Sequence, residues 1–422
     1  MVLRGFKDAI AFKNPGRGQW IIVLSVFFLI NLPAVIKDNG HSNAYVLLAK
    51  SFCRGTLSLS TKDMADIKGT SIKDNGDLTY FDEKYYLPYP PAPAVIIIPF
   101  LFVNYSFVNS VLICVLLSCL NIILLFKILS KLDIKYPDKA WLMYAFFFGT
   151  CYWSVLETAS HVYGFAEIVS VTSIFLMLNE LFGKARGSLV GFFLGLAFLS
   201  RQFTIVLSVF VLGFYINQYL ISDRIDKFQF LRKKVLYFCA ALGACVMLYL
   251  LYNYLRFKDP LQTGYKYILF GGILKYRVEQ FGVFSPHYFF YNLYNYLIKG
   301  FNIYFTGPGL MKIQDVDPFG TGLLIASPFL VAAFKTNCGK VFKIFAWIAI
   351  ALIFTGMLFY HNNGKDQINS SRFTLDFLPI LFILMAFGIR SVPPWLMKGM
   401  IVYAIVLNVI AFSIHGLYHS FL

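Results

Sequence analysis

The chain has 422 residues, 58% of them hydrophobic and 14% charged, with a mean hydropathy of +0.67. These proportions place it among polytopic membrane proteins and exclude a soluble enzyme. Its 37 basic and 21 acidic residues leave a formal charge of +16, and where that charge falls decides between a nucleic-acid partner and a membrane orientation.

Residues 1–19 carry Arg4, Lys7, Lys13 and Arg17 ahead of an apolar run at 20–36. No small-residue cleavage pattern follows, so the start reads as an uncleaved signal anchor with a cytosolic N-terminus. Residues 37–106 form a first outer loop with interfacial helices. Apolar runs near 107–126, 140–156, 162–179, 188–199, 203–219 and 235–255 fill the section 107–255. A second outer loop covers 256–319, and runs near 320–334, 344–360, 373–389 and 399–418 fill 320–422. Each run is of helix-spanning length or a little less, which predicts an all-α polytopic membrane protein with about eleven transmembrane helices. The 188–199 and 203–219 runs, parted by Ser200, Arg201 and Gln202, are two short helices meeting at the outer face or one long tilted helix. The pair keeps the charge balance consistent.

With the N-terminus inside, the cytosolic segments hold 20 of the basic residues and six of the acids, while the short outer turns hold only Arg201, Lys365 and Arg372. The remaining basic residues lie in the two long loops, whose charges count little toward topology. The basic balance is therefore an orientation signal, and no nucleic-acid partner is expected. The seven cysteines have no metal-ligand spacing and predict neither a disulfide framework nor structural zinc.

Loops as long as 37–91 and 256–319 are usually functional or disordered, and their many aromatics disfavour disorder. All six histidines (41, 161, 287, 361, 415 and 419) fall at or beyond outer span ends. Chemistry is expected on the outer face. Asp38 follows the first span directly, and a carboxylate at the membrane boundary beneath a folded loop can act as a general base. Its plainer reading is a polar residue closing the helix; His41 reads as a positioning or surface histidine. Further along, Pro88, Pro90, Pro91 and Pro93 fix an extended approach to a short apolar run at 94–102. Lys84, Tyr85 and Tyr86 either touch substrate there or flank a rigid elbow.

Glu157 and His161 stand four apart at an outer span end, with Glu167 deeper in the next span. No third ligand of matching spacing is visible, so a hydrogen-bonded pair lining a cavity is preferred to a metal half-site. Arg201, between two short apolar halves, is a phosphate ligand or a turn cap. Arg372 stands at the entry to a span, where ionisable residues tend to be functional. It is the best phosphate candidate, or half of a self-satisfied pair with Asp376, four residues on. Tyr265 and the tyrosines that crowd the second outer loop either stack on acceptor sugars or anchor at the interface.

The order Asp38, His41, Ser42, Asn43, Ala44, Tyr45; then Lys84 through Ala94; then Gly149, Thr150, Trp153, Ser154, Glu157 and His161; then Gly191, Gly195, Ser200 and Arg201 resembles a known family. It continues through Asp259, Pro260, Leu261, Gln262, Thr263, Gly264 and Tyr265, then Ser327, Pro328 and Phe329, and ends at Arg372 through Pro379. The pattern is similar to the GT-C superfamily of polytopic glycosyltransferases, nearest to bacterial members related to protein mannosyltransferases and lipid A aminoarabinose transferases. The likeness covers most of the chain, through motifs that are each weak alone.

The resemblance implies a GT-C-like bundle in a bacterial inner membrane, with two folded loops and an active site facing the periplasm. It implies transfer of a sugar from a polyprenyl-phosphate donor to a glycan or lipid-linked acceptor of the cell envelope, of the O-antigen or lipopolysaccharide type. Asp38 would accept the proton of the acceptor hydroxyl, while Arg372 and Arg201 hold the departing phosphate as its charge grows. His41, Lys84, Tyr85, Tyr86, Glu157, His161, Tyr265 and Asp376 would line the substrate site. No cofactor beyond membrane lipid is expected; some branches of the family use a divalent metal and others do not. Many members carry an acid where this chain has Asn43. Two other readings stand beside the transferase: a lipid-linked-saccharide flippase or other secondary transporter, and a catalytically silent scaffold. No internal repeat of the transporter kind is visible.

Overall fold

The computed structural model describes residues 17–38, 43–66, 78–222, 226–268, 270–363 and 367–420. Helices form along the apolar runs and end at capping, glycine or proline residues. In chain order they are α1 (Arg17–Lys37), α2 (Ala44–Cys53), α3 (Thr61–Asp66), a hairpin of β1 (Thr79–Phe81) and β2 (Lys84–Tyr86), and α4 (Ala92–Leu101). There follow α5 (Ser110–Lys131), α6 (Asp138–Gly149), α7 (Cys151–Glu157), α8 (Val162–Leu181), α9 (Gly187–Phe198), α10 (Leu207–Ile221) and α11 (Lys227–Phe257). The second loop holds α12 (Gly272–Phe281), α13 (Phe289–Leu293) and a hairpin of β3 (Ile303–Thr306) and β4 (Lys312–Val316). The chain closes with α14 (Leu323–Ala326), α15 (Lys340–Leu358), α16 (Leu378–Gly388) and α17 (Pro394–Ser420).

Among the described residues, seven helices are long and apolar enough to cross a membrane: α1, α5, α8, α10 with the 3-10 turn that leads into it, α11, α15 and α17. The protein is thus an all-α polytopic membrane protein. The apolar runs expected at 140–156, 320–334 and 373–389 fold as shorter or interrupted helices, while the run expected at 188–199 folds over its expected length as α9. Thr150 takes an extended backbone between α6 and α7, accepts from Tyr152 N at 3.1 Å and donates to Phe146 O at 2.7 Å. Pro328, which lacks an amide hydrogen, separates α14 from a 3-10 stretch to Lys335. At Arg201 the backbone is extended (φ −143°, ψ 109°), so the run around it is two helices and not one tilted helix.

Hydrophobicity does not drive helices together in lipid, so close packing must. α9 and α11 meet along Gly187, Gly191 and Gly195, one glycine per turn of α9. A methyl group there would lie 2.1 Å from Lys234 O, 2.4 Å from Phe238 O and 2.4 Å from Cys245 Sγ, so only hydrogen fits. This contact fixes the outer end of α9, from which Arg201 emerges.

The two long loops are joined to each other and to α11. Thr79 pairs with Ile268 in an antiparallel bridge, and Phe81 packs on Phe257 and Tyr267 with ring centroids 5.8 and 4.9 Å apart. Arg256, only 1% exposed, donates to Leu87 O at 2.6 Å and to Asn253 Oδ1 at 2.8 Å. Tyr252 donates to Tyr89 O at 3.3 Å, and Ala92 N donates to Leu199 O at 3.0 Å. The proline-rich elbow at 87–93 is thereby held against both α9 and α11.

Substituting Gly191→Val is expected to force α9 and α11 apart and to destabilise the protein by about 2 kcal/mol or more, read as a lower midpoint of thermal unfolding in detergent. Gly243→Ala, in α11 with nothing within 4 Å of the added methyl, should leave that midpoint unchanged.

Candidate functional site

The 3-10 turn Arg372–Asp376 runs into α16 beside the break between α9 and α10. In a 3-10 turn, residues three apart eclipse one another, so Arg372 and Asp376 do not face each other as they would in an α-helix. Asp376 instead pairs with Arg201: Nη2 lies 3.0 Å from Oδ2 and Nε 3.3 Å from Oδ1, a two-pronged contact. Glu167, one turn and a half into α8, places Oε1 3.1 Å from the same Nη2. That approach is off the N–H axis, so the ion pair forms while neither Glu167 oxygen accepts a hydrogen bond from the described residues. The Phe373 ring lies 4.9 Å beneath the Arg201 guanidinium. One arginine thus joins α8, α9, α10 and the turn before α16, with both carboxylates fully buried.

Arg372 approaches the same site from a different side. Its guanidinium lies 3.9 Å from the centroid of the Tyr163 ring and 5.1 Å from that of Phe373. Tyr163 stacks on His161, with planes 10° apart and centroids at 5.4 Å. Arginine, tyrosine and histidine therefore form one column; a desolvated cation–π contact of this kind contributes about 2 kcal/mol. Arg372 is 6% exposed and lines a narrow crevice with Ser154, Thr158 and Gln367. Gln367 Oε1 accepts from the Arg372 amide at 2.9 Å, fixing the turn. Tyr265 comes down from the second loop to within electrostatic reach of Tyr360 and Arg201.

The other sequence candidates lie elsewhere. Asp38, 6% exposed, accepts from Val111 N at 3.0 Å in the first turn of α5, where helix amides and the helix dipole favour a negative charge. Asn109 caps the same helix by accepting from Leu112 N and ties it to Val35 O. The plainer reading of Asp38, a polar residue at a helix end, therefore has a structural basis, although the helix end it serves is that of α5. Asn43 caps α2 through Tyr45 N at 3.0 Å and donates to Ala159 O at 3.4 Å, a role that asks for an amide. His41 lies outside the described residues.

Lys84 is exposed beside the β1–β2 turn, Tyr85 packs on Tyr80 at 4.9 Å, and Tyr86 packs on Phe257 at 5.5 Å. These three belong to the clamp between loops, not to the Arg201 cluster. Glu157 turns toward Lys37, and the Trp153 indole stands near it, short of hydrogen-bond geometry. Burial pushes the Glu157 carboxyl up to about 7, against the pull of Lys37 and Trp153. Among the described residues no group of three His, Cys, Asp or Glu side chains is placed to hold a metal ion.

The sequence reading named Arg201, Arg372 and Asp376 for the site and passed over two members. Glu167 was visible as an acid inside an apolar run, a costly position that calls for a partner. Tyr163 gave no signal among 27 tyrosines. No family model, characterised protein or solved structure matches this chain.

Replacing Asp376 by alanine leaves a buried arginine with one poorly aligned carboxylate, and is expected to cost about 3–5 kcal/mol in unfolding free energy. Glu157 gives a second test. Its folded pKa of about 7 exceeds the ordinary 4.5, so the folded state holds its proton more tightly than the unfolded one, and stability falls as pH rises from 4.5 to 7. Glu157→Gln should remove that loss: the variant should gain in unfolding midpoint over wild type at pH 8 and gain less at pH 5.

Proposed function

We propose that this chain is a membrane glycosyltransferase that moves a sugar from a polyprenyl-phosphate donor to a cell-envelope glycan or lipid-linked acceptor. The observation that carries the reading is the convergence of Arg201, Arg372, Glu167 and Asp376 under two interlocked loops. Departure of a lipid phosphate builds negative charge, and arginines held in a nearly dry site stabilise that charge without reorganising. In this reading Arg372 is the main phosphate ligand, because Tyr163 and Gln367 orient it toward the crevice while Arg201 is divided between two carboxylates. Asp38 serves as general base from the end of α1. The resemblance to GT-C enzymes along the chain supports the same assignment.

The topology that goes with this function has about eleven crossings, with the short helices α9 and α16 and the interrupted pairs α6–α7 and α14–3-10 completing the count beside the seven long ones. The basic segments lie in the cytosol of a bacterial inner membrane and the loops in the periplasm, by the positive-inside rule. Tyr265 and the second-loop tyrosines contact the acceptor, with Glu157 and His161 at the edge of the cavity.

The test is sugar transfer by the purified protein in lipid, supplied with a panel of polyprenyl-phosphate sugars and envelope glycans. Wild type should transfer; Asp38→Asn should abolish transfer while donor binding persists; Arg372→Lys should weaken donor binding about tenfold, because the planar fork is lost. Full activity in Asp38→Asn together with loss in Glu167→Gln would move the base to Glu167. No transfer with any donor, alongside movement of lipid-linked sugar across vesicles, would overturn the enzyme reading in favour of a flippase.

A further inference from the structure

Between α4 and α5 the chain turns through residues 102–107, where Phe102, Val103 and Phe107 expose 83%, 86% and 42% of their surface. The turn supplies its own hydrogen bonds. Val103 N and Asn104 N both donate to Phe100 O at 3.1 Å, and Asn104 Oδ1 accepts from Ser106 N at 3.0 Å and from Phe107 N at 3.1 Å. These amides are satisfied without water, as a non-helical segment at the edge of lipid requires. From Ser110 to Lys127, the first cation of α5, the helix rises about 26 Å, somewhat less than the roughly 30 Å of hydrocarbon to be crossed. The turn just before Ser110 therefore lies at the membrane boundary. Its exposed side chains add to the apolar surface that Leu116 and Leu120 of α5 present to lipid.

Two cations stand beside this turn. Lys50, in the last turn of α2, places Nζ 5.5 Å from the centroid of the Tyr105 ring and has no ion-pair partner among the described residues. Arg54, just past α2, donates from Nη1 to the Tyr105 hydroxyl at 3.4 Å and is paired with Asp63. That pairing commits the acid of this corner to Arg54 and leaves Lys50 as the open charge. An occupant must meet exposed apolar side chains and an ammonium group side by side at a membrane boundary, which is the chemistry of an anionic lipid in the bilayer.

We propose that the turn 102–107 is a membrane-docking element: Phe102, Val103 and Phe107 enter the acyl layer beside α5, and Lys50 engages the phosphate of an anionic glycerophospholipid at its rim. A lysine next to an interfacial tyrosine suits that boundary, since its stem packs on apolar surface while its ammonium group meets phosphate. The proposal is independent of the transferase reading, since none of these residues belongs to the Arg201 cluster.

The experiment replaces Phe102 by photoreactive p-benzoylphenylalanine in the full chain, places it in nanodiscs of equal dioleoyl phosphatidylglycerol and dioleoyl phosphatidylcholine, and identifies the adducts by mass after illumination. The Phe102 side chain is exposed, so the exchange leaves the core untouched. Lipid adducts should form, with phosphatidylglycerol favoured about fivefold. Both lipids carry the same acyl chains, so the ratio reads the choice of head group. The same label at Leu116, further into α5, should capture the two lipids equally. Lys50→Gln should lower the ratio at position 102 to that at position 116, and Lys50→Arg should keep it high. Adducts with a second copy of the chain in place of lipid, no adduct at all, equal ratios at the two positions while Lys50 is present, or a ratio unchanged in Lys50→Gln would each overturn the proposal.

Discussion

The arrangement of the outer half of this protein depends on one arginine. Arg201 stands where an apolar stretch breaks into two helices, and its guanidinium reaches Asp376 with two nitrogens and Glu167 with one. Bringing three charges out of water costs far more than a surface pair returns, and the cost is recovered only when geometry and neighbours are fixed. Fixing them is what the surrounding elements do. The α9–α11 glycine contact sets the end of α9, the extended backbone at Arg201 turns the side chain inward, and the 3-10 turn aims Asp376 away from its own arginine. Without this cluster, α8, the α9–α10 corner and the start of α16 would have no polar reason to share one position.

The loops act as a lid whose attachment is built into the helices beneath. Arg256, at the end of α11, uses two nitrogens to hold Leu87 O and Asn253, and its cation stacks 3.8 Å over the Tyr252 ring. The first loop therefore cannot shift without disturbing the longest helix of the protein. The second loop is tied by its own side chain: Asn292 Nδ2 donates to the carbonyls of Met357, Leu358 and Tyr360 at the end of α15, where helix carbonyls run short of amide donors. Side chains of α11 hold carbonyls of the first loop, and a side chain of the second loop holds carbonyls at the end of α15, and these ties keep the space above Arg201 and Arg372 defined.

The membrane class and the positions of the helices were legible in the sequence because apolar runs are local properties. The length of each helix was not. Thr150 and Pro328 interrupt runs whose hydropathy is continuous, and hydropathy does not register a capping hydroxyl or a missing amide hydrogen; the break at Arg201, flanked by Ser200 and Gln202, was legible. Arg201, Arg372 and Asp376 were legible one by one as expensive charges, yet their pairing was not: helical spacing joined Arg372 to Asp376, and the 3-10 geometry that parts them appears only in three dimensions. Asn43 looked like a missing acid, whereas its amide caps α2 and bridges to Ala159 O. Arg256 looked like the first residue of a loop and is one of the largest fully buried side chains.

Asp376, Asp38, Glu157 and Glu167 differ in how much of their bonding capacity the described residues use. Asp376 is committed along both oxygens to Arg201, so its role is architectural. Asp38 serves the first turn of α5 through Oδ2, which holds it in place at the end of α1. Glu157 is pushed toward its neutral form by burial, so near pH 7 it is as ready to donate a proton as to accept one. Glu167 is the member with both oxygens lacking a hydrogen-bond donor, while an arginine sits 3.1 Å away. A buried acceptor left open beside a cation is where an incoming hydroxyl gains most, since it supplies the missing donor and meets a charge already fixed in place. Glu167 thus stands within the Arg201 cluster itself, whereas Asp38 serves the first turn of α5.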